Sequence, residues 1–207
     1  KKKNVTGDAI TTGGSNTSVG SYSMTTLTTG SHNVAVGTSA LDVTTTGSQN
    51  VAVGRDALGA NTTASENVAV GYQSMYTNTT GGQNVAVGTY ALYPQTTGAN
   101  NTAVGYNAGG GLTTGSNNVI VGQRPGQAIT TASFNTTVGR IAATALTEGQ
   151  RNTALGYAAL QTDTKGSRNV ALGFNALGGQ NFTSATDSYN VAIGYDAGGS
   201  LSTGDQC

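Results

Sequence analysis

The chain has 207 residues, nine Lys and Arg against nine Asp and Glu, and only 9% charged positions, where globular domains average about 25%. That balance excludes the concentrated basic surface that phosphate binding demands, and no apolar run is long enough for a membrane-spanning helix. Nine Tyr, three Phe and no Trp leave little material for a large conventional core, yet with only two Pro and apolar residues that recur in register the chain does not read as disordered.

Taken in chain order, Lys1-Lys2-Lys3 opens the sequence with no apolar stretch behind it, so no signal peptide is expected. Residues 4–15 carry the closing half of a repeating unit, with Ile10-Thr11-Thr12-Gly13 at its positions 12 to 15. From there an Asn returns every 17 residues, at Asn16, Asn33, Asn50, Asn67, Asn84, Asn101, Asn118, Asn135, Asn152 and Asn169, with Asn190 following after 21. Four residues beyond each Asn stands a Gly, from Gly20 to Gly194, without exception. With Asn as position 1, the unit reads N-V-A-V-G-x-x-A-L-x-x-x-T-T-G-S-x, as in Asn84-Val85-Ala86-Val87-Gly88. A fixed period of this length is the mark of a stacked repeat architecture.

Positions 2 to 4 alternate, which predicts a short β-strand with its β-branched positions 2 and 4 facing the core and its small position 3 facing outward. The Gly at position 5 ends the strand where the turn needs positive φ or a close backbone approach. Position 9 returns an apolar side chain to the interior (Met24, Leu41, Leu58, Met75, Leu92, Leu160, Leu177), and position 13 is Thr from Thr28 to Thr164. A helix is excluded, because this much Gly, Thr and Asn costs a helix roughly 0.5–1 kcal/mol per residue.

The predicted fold is all-β: a parallel β-solenoid (a β-roll or β-helix) of eleven 17-residue coils, with residues 1–207 forming one repetitive domain. Stacking at about 4.8 Å gives a rod of roughly 50 Å, with Val, Asn and Thr ladders along it. Glu148 and Lys165 share position 14 on successive coils, which supports stacking; Arg151 and Arg168, like charges sharing position 17, count against it. An outward column of Ala35, Ala52, Ala69, Ala86 and Ala103 suits close approach of a neighbouring strand and predicts a homotrimer. The alternative is that Ala is tolerated on an exposed face. Both ends are in phase with the repeat, as Leu201-Ser202-Thr203-Gly204 shows, so the chain reads as a segment of a longer fibre or a subunit that stacks end to end.

The Asn-Val-Ala-Val-Gly motifs resemble the head repeat of YadA-like trimeric autotransporter adhesins. The longer Asn101-Thr102-Ala103-Val104-Gly105-Tyr106-Asn107-Ala108, with its Thr-Thr-Gly turn, is similar to the repeats of phage and giant-virus tail-fibre proteins and of related bacterial surface proteins. The resemblance covers nearly the whole chain and implies a left-handed, trimeric coil. Its motif is structural and implies no catalytic residue. The adhesin repeat is shorter, nearer 14 residues, and the self-cleaving chaperone domain that often follows tail-fibre repeats is not part of this sequence.

No converging catalytic set is legible. His32 is a lone turn residue at position 17; Asp56 and Asp196 lie eight coils apart; Asp42 and Asp163 stack with no other carboxylate; and no repeated G-x-D pattern offers calcium. Cys207 offers no intrachain disulfide or metal cluster. No cofactor and no catalytic residue is therefore expected. The candidate ligand contacts are aromatic: Tyr72 and Tyr106 at position 6, Tyr76 and Tyr93 at position 10, and Phe182 in the irregular segment Gly178–Ser184, which should bulge outward. Such rings stack on sugars or, alternatively, pack at corners between chains. Seven N-x-[ST] sequons (Asn4, Asn16, Asn61, Asn78, Asn100, Asn135, Asn181) are what an Asn- and Thr-rich composition produces.

The expected function is a non-enzymatic fibre shaft or head on a virion or cell surface. Its expected partners are other copies of itself and a surface glycan or protein receptor, with no nucleic acid and no membrane insertion. Two alternatives stand beside it. One is a self-assembling extracellular filament, and the other an ice-binding solenoid using the Thr pairs at positions 13 and 14.

Overall fold

The computed structural model describes residues 10–204; Lys1-Lys2-Lys3, the Asn4 sequon and Cys207 lie outside them. Eleven three-residue strands form one parallel sheet: β1 (Thr17–Val19), β2 (Val34–Val36), β3 (Val51–Val53), β4 (Val68–Val70), β5 (Val85–Val87), β6 (Thr102–Val104), β7 (Val119–Val121), β8 (Thr136–Val138), β9 (Thr153–Leu155), β11 (Val170–Leu172) and β13 (Val191–Ile193). A second, two-stranded sheet pairs β10 (Gly166–Ser167) with β12 (Thr186–Asp187). The main sheet stacks in strict chain order, and like repeat positions oppose one another, as in Val85↔Thr102, Ala86↔Ala103 and Val87↔Val104. There is no helix among the described residues. The parallel β-solenoid read from the period is therefore the fold.

Two features of the unit hold the stack. The first is the Asn ladder. Asn101 accepts, through Oδ1, the backbone N–H of Asn118 at 2.9 Å and its Nδ2 at 3.1 Å, while its own Nδ2 donates to the Gly115 carbonyl at 2.9 Å. Each Asn before Asn190 thus links its coil to the next, and each except Asn169, whose coil carries the insertion, ties position 1 to position 15 within its own coil. The ladder runs from Asn16 to Asn190, all buried beyond the first, and needs a short neutral amide because acceptor and donor are used together. The second is the Gly at position 5. Gly88 has φ +137°, and a Cβ there would lie 2.4 Å from the Gly105 carbonyl oxygen, so no other residue fits between the coils.

The strand faces are the reverse of the sequence expectation. Ala35, Ala52, Ala69, Ala86 and Ala103 are 0% exposed and belong to the core, whereas Val36, Val87 and Val104 are 37% exposed. The Ala column is no outer contact surface, and a trimer cannot form through it. The cause is the parity of a strand. Asn at position 1 must point inward to make its ladder, so position 3 points inward with it, and positions 2 and 4 point out. Ala suits position 3 because Leu or Met at position 9 and Ala at position 8 already fill the narrow interior beside it.

The insertion is anchored from below. Asp163, fully buried, accepts through Oδ1 the N–H groups of Gly166 and Phe182, both at 3.0 Å, and through Oδ2 the Gln180 amide at 2.6 Å. Phe182 is consequently only 7% exposed, while Gly179, Asn181 and the following Thr183–Ala185 are exposed around it. This corrects the expectation that Phe182 bulges outward as a ligand contact.

Candidate functional site

The described residues contain no group of three His, Cys, Asp or Glu able to hold a metal. His32 is exposed at φ +60°, in the turn. What the outer surface does carry is aromatic residues, gathered by the stack into two assemblies.

The first assembly brings together four of the predicted contacts. Tyr76 and Tyr93 share position 10 on consecutive coils and stack with ring centroids 5.7 Å apart and planes 12° from parallel. Tyr72 and Tyr106, at position 6, are two coils apart and do not meet each other. Tyr90, from the coil between them, bridges them edge-on, 5.4 Å from Tyr72 and 6.4 Å from Tyr106. It also meets Tyr93 at 5.5 Å. Edge-to-face geometry of this kind matches the ring quadrupoles. Tyr90 stands at position 7 of a coil that carries Thr89 at position 6, with the left-handed backbone (φ +59°) common to that position. Partial desolvation among the neighbouring rings, then repulsion from Tyr72, Tyr106 and Tyr93 in their charged forms and a hydrogen bond with Tyr72, raise the Tyr90 phenol above its ordinary value. The Arg55 guanidinium lies 5.7 Å above the Tyr72 ring and pairs with Asp56 at 3.3 Å.

The second assembly is a plain ladder. Tyr157, Phe174 and Tyr195 at position 6 stack at 5.0 Å with planes 8° from parallel, and Arg140 lies 5.6 Å over the Tyr157 ring. Their spacing is close to the inter-strand distance of the sheet beneath.

Sequence reasoning missed Tyr90, although Tyr90 and Tyr93 flank one tight turn, which was the available signal. It also noted Arg151 and Arg168 only as an unfavourable pair. In the structure each turns to a different aromatic ring, Arg151 to Phe134 at 5.3 Å and Arg168 to Tyr189 at 5.5 Å. The expected Glu148–Lys165 pair forms at 3.2 Å. Of the sequons, Asn61, Asn78 and Asn135 are buried in the coil, while Asn100 and Asn181 are exposed.

The class defined by this fold is an all-β solenoid repeat protein whose outer surface is organised as residue columns. Neither a protein-family model nor a curated protein nor a solved structure matches the chain.

Proposed function

We propose that the chain is a segment of a non-enzymatic surface fibre, displayed on a virion or cell, that assembles as a homotrimer and offers its outer columns to a surface glycan or protein. The observation that carries this reading is the outer face of the eleven-stranded sheet. Positions 2 and 4 present two unbroken columns, mostly Val, Leu and Ile with Thr at intervals, among them Val87, Val104, Leu155 and Leu172, all exposed. The face is roughly 50 Å by 10 Å, about 500 Å² in projection, at the upper end of what a soluble monomer leaves uncovered.

The partner that fits it is another copy. A surface repeating at the inter-strand spacing along its whole length is matched over that length by a surface with the same period. The position 6 aromatics border the position 4 column and widen the apolar area toward the roughly 800 Å² per partner of a standard interface. Three copies about one axis bury the face of each and leave the remaining columns outside, in keeping with the resemblance to trimeric heads.

The ice-binding alternative loses ground on the Thr columns. Position 13 hydroxyls donate to carbonyls of the following coil, as Thr79 does to Thr96 at 3.1 Å and Thr113 to Thr130 at 3.0 Å. Position 14 alone is left as an exposed file, from Thr29 to Thr131. A single file is one-dimensional, whereas matching a lattice plane takes two dimensions.

Solution mass by light scattering tests the proposal. The expected result is about 62 kDa, three times the 20.5 kDa chain, falling to the single-chain mass in Val87→Asp/Val104→Asp, whose new charges sit on the outer face, with an unchanged circular-dichroism spectrum showing that the coil is retained. A wild-type mass of one chain at all concentrations sinks the assembly.

A further inference from the structure

The chain is nearly devoid of charge, and its charge is unevenly placed. Of thirteen charged residues among the described positions, five line one cleft of about 420 Å³: Glu148, Arg151, Lys165, Arg168 and Asp187. The cleft is built where the repeat breaks. Asp187 and Ala185, from the irregular segment after Phe182, form one wall, and positions 14 to 17 of the two preceding coils form the floor.

Its charges do not cancel. Lys165 pairs with Glu148 at 3.2 Å and Arg168 with Asp187 at 3.0 Å. Arg151 has no carboxylate within ion-pair distance among the described residues; its guanidinium lies instead over the Phe134 ring. A guanidinium drawn to an aromatic ring rather than to a carboxylate has its N–H fork uncommitted to an ion pair, and that planar fork is the part that recognises carboxylate and sulfate in a bidentate way. Reading along position 17, the column runs Phe134, Arg151, Arg168, Tyr189, with the two aromatics half-exposed and each arginine lying on the ring outside it. Within the cleft Ser167 Oγ accepts the Gln150 N–H at 3.0 Å, which leaves the hydroxyl hydrogen to donate.

We infer that this cleft binds an acidic saccharide, a sugar unit carrying one carboxylate or sulfate. The anion is held by Arg151, hydroxyl contacts come from Ser167 and Gln150, and a neighbouring ring stacks on Phe134 or Tyr189. One surplus cation suits one anionic group and not a polyphosphate chain, whose binding rests on many such contacts. Exposed aromatics beside the arginines suit the apolar face of a sugar. The cleft volume lies in the roughly 300–1,000 Å³ range of small-molecule sites. The inference rests on the reading of the chain as a displayed fibre and names the ligand class for it.

The test is ligand-observed NMR and calorimetry on the assembled protein with sialyllactose, a glucuronic-acid disaccharide, a sulfated disaccharide and neutral lactose. Binding of at least one acidic sugar is expected, weakening with added salt, with no binding of lactose. The three acidic arms tell carboxylate from sulfate. Arg151→Ala should lower affinity at least about tenfold, and Arg151→Lys should recover only part of it, because charge returns without the planar fork. Arg151 is exposed, so neither variant should change the melting temperature. Arg55→Ala, at the tyrosine assembly, should bind as wild type. Equal binding of lactose, indifference to Arg151→Ala, loss in Arg55→Ala instead, or no binding by any acidic sugar each overturns the inference. The mass of the same sample separates the two readings: a trimer that ignores acidic sugars sinks only the cleft, and a monomer that binds them sinks only the assembly.

Discussion

Two stretches of the rod fill the same interior in opposite ways. In the coils beginning at Asn33, Asn50, Asn67 and Asn84, position 9 holds Leu41, Leu58, Met75 and Leu92, and position 12 holds Thr44, Asn61, Asn78 and Gln95, all buried. In the coils beginning at Asn101, Asn118 and Asn135, position 9 shrinks to Gly109, Gly126 and Ala143, while position 12 becomes Leu112, Ile129 and Leu146. Position 3 grows in the same stretch, to Ile120 and Thr137. The interior requires a volume per coil and accepts it from either side.

The two solutions are not equivalent in backbone strain. Position 9 is left-handed throughout, with φ +49° at Leu92 and +65° at Gly109. A non-glycine residue there costs roughly 1–2 kcal/mol, which the first stretch accepts in all four coils in exchange for a buried aliphatic side chain and the second stretch accepts only at Ala143. Three of its four polar position 12 side chains close on their own coil, Asn61 donating to Ala64 at 3.2 Å, Asn78 to Gly81 at 2.9 Å and Gln95 to Gly98 at 2.8 Å, while Thr44 donates to the Asn61 carbonyl of the next coil at 2.9 Å. Each stretch leaves one buried oxygen unmatched, Asn78 Oδ1 in the first and Thr137 Oγ1 in the second.

The largest effect should come from forcing the first solution onto the second stretch. A Cβ at Gly109 would lie 2.8 Å from Leu92 Cδ2 and 3.1 Å from Ile120 Cδ1, so Gly109→Leu should destabilise by about 1–3 kcal/mol. Adding Ile120→Ala should recover part of that in a denaturant titration. A fully additive double variant would break the idea of a shared volume. The converse exchange, Gln95→Leu, should change stability by about 1 kcal/mol or less. It strands no partner, since the Gly98 carbonyl keeps the Asn84 amide at 3.0 Å and the Asn101 amide keeps the Gly115 carbonyl. A large loss would show that position 12 is needed for its polarity.

The smallest effect is a pH dependence at the tyrosine assembly, which sits on the last two coils of the first stretch and, through Tyr106, on the first coil of the second. Tyr90 has a raised phenol value in the folded chain. The neutral form is therefore favoured by folding, and its contribution is fully present below the ordinary Tyr value and is lost as pH rises through the raised one. Ultraviolet titration should show a phenol ionising above that ordinary value which Tyr90→Phe removes. If the wild-type and Tyr90→Phe curves superimpose after scaling for one tyrosine, the bridging role of Tyr90 fails.

The sequence by itself determined the 17-residue period, the parallel stacking in register, the Gly that no coil can replace and the ladders, including the Glu148–Lys165 pair and the Tyr76–Tyr93 stack. All of these follow from like residues meeting at a constant spacing. Alternation in a strand says which side chains share a face, but not which face is inside. Hydrophobicity pointed to Val, while the hydrogen-bonding demand of Asn at position 1 settled it for Ala. The tertiary structure alone decided the exchange of volume among positions 3, 9 and 12, the burial of Phe182 over Asp163, the bridging by Tyr90 and the cleft around Arg151. These depend on distances across a coil and between unequal coils, and the four extra residues before Asn190 hide Tyr189's place in the position 17 column until the chain is folded.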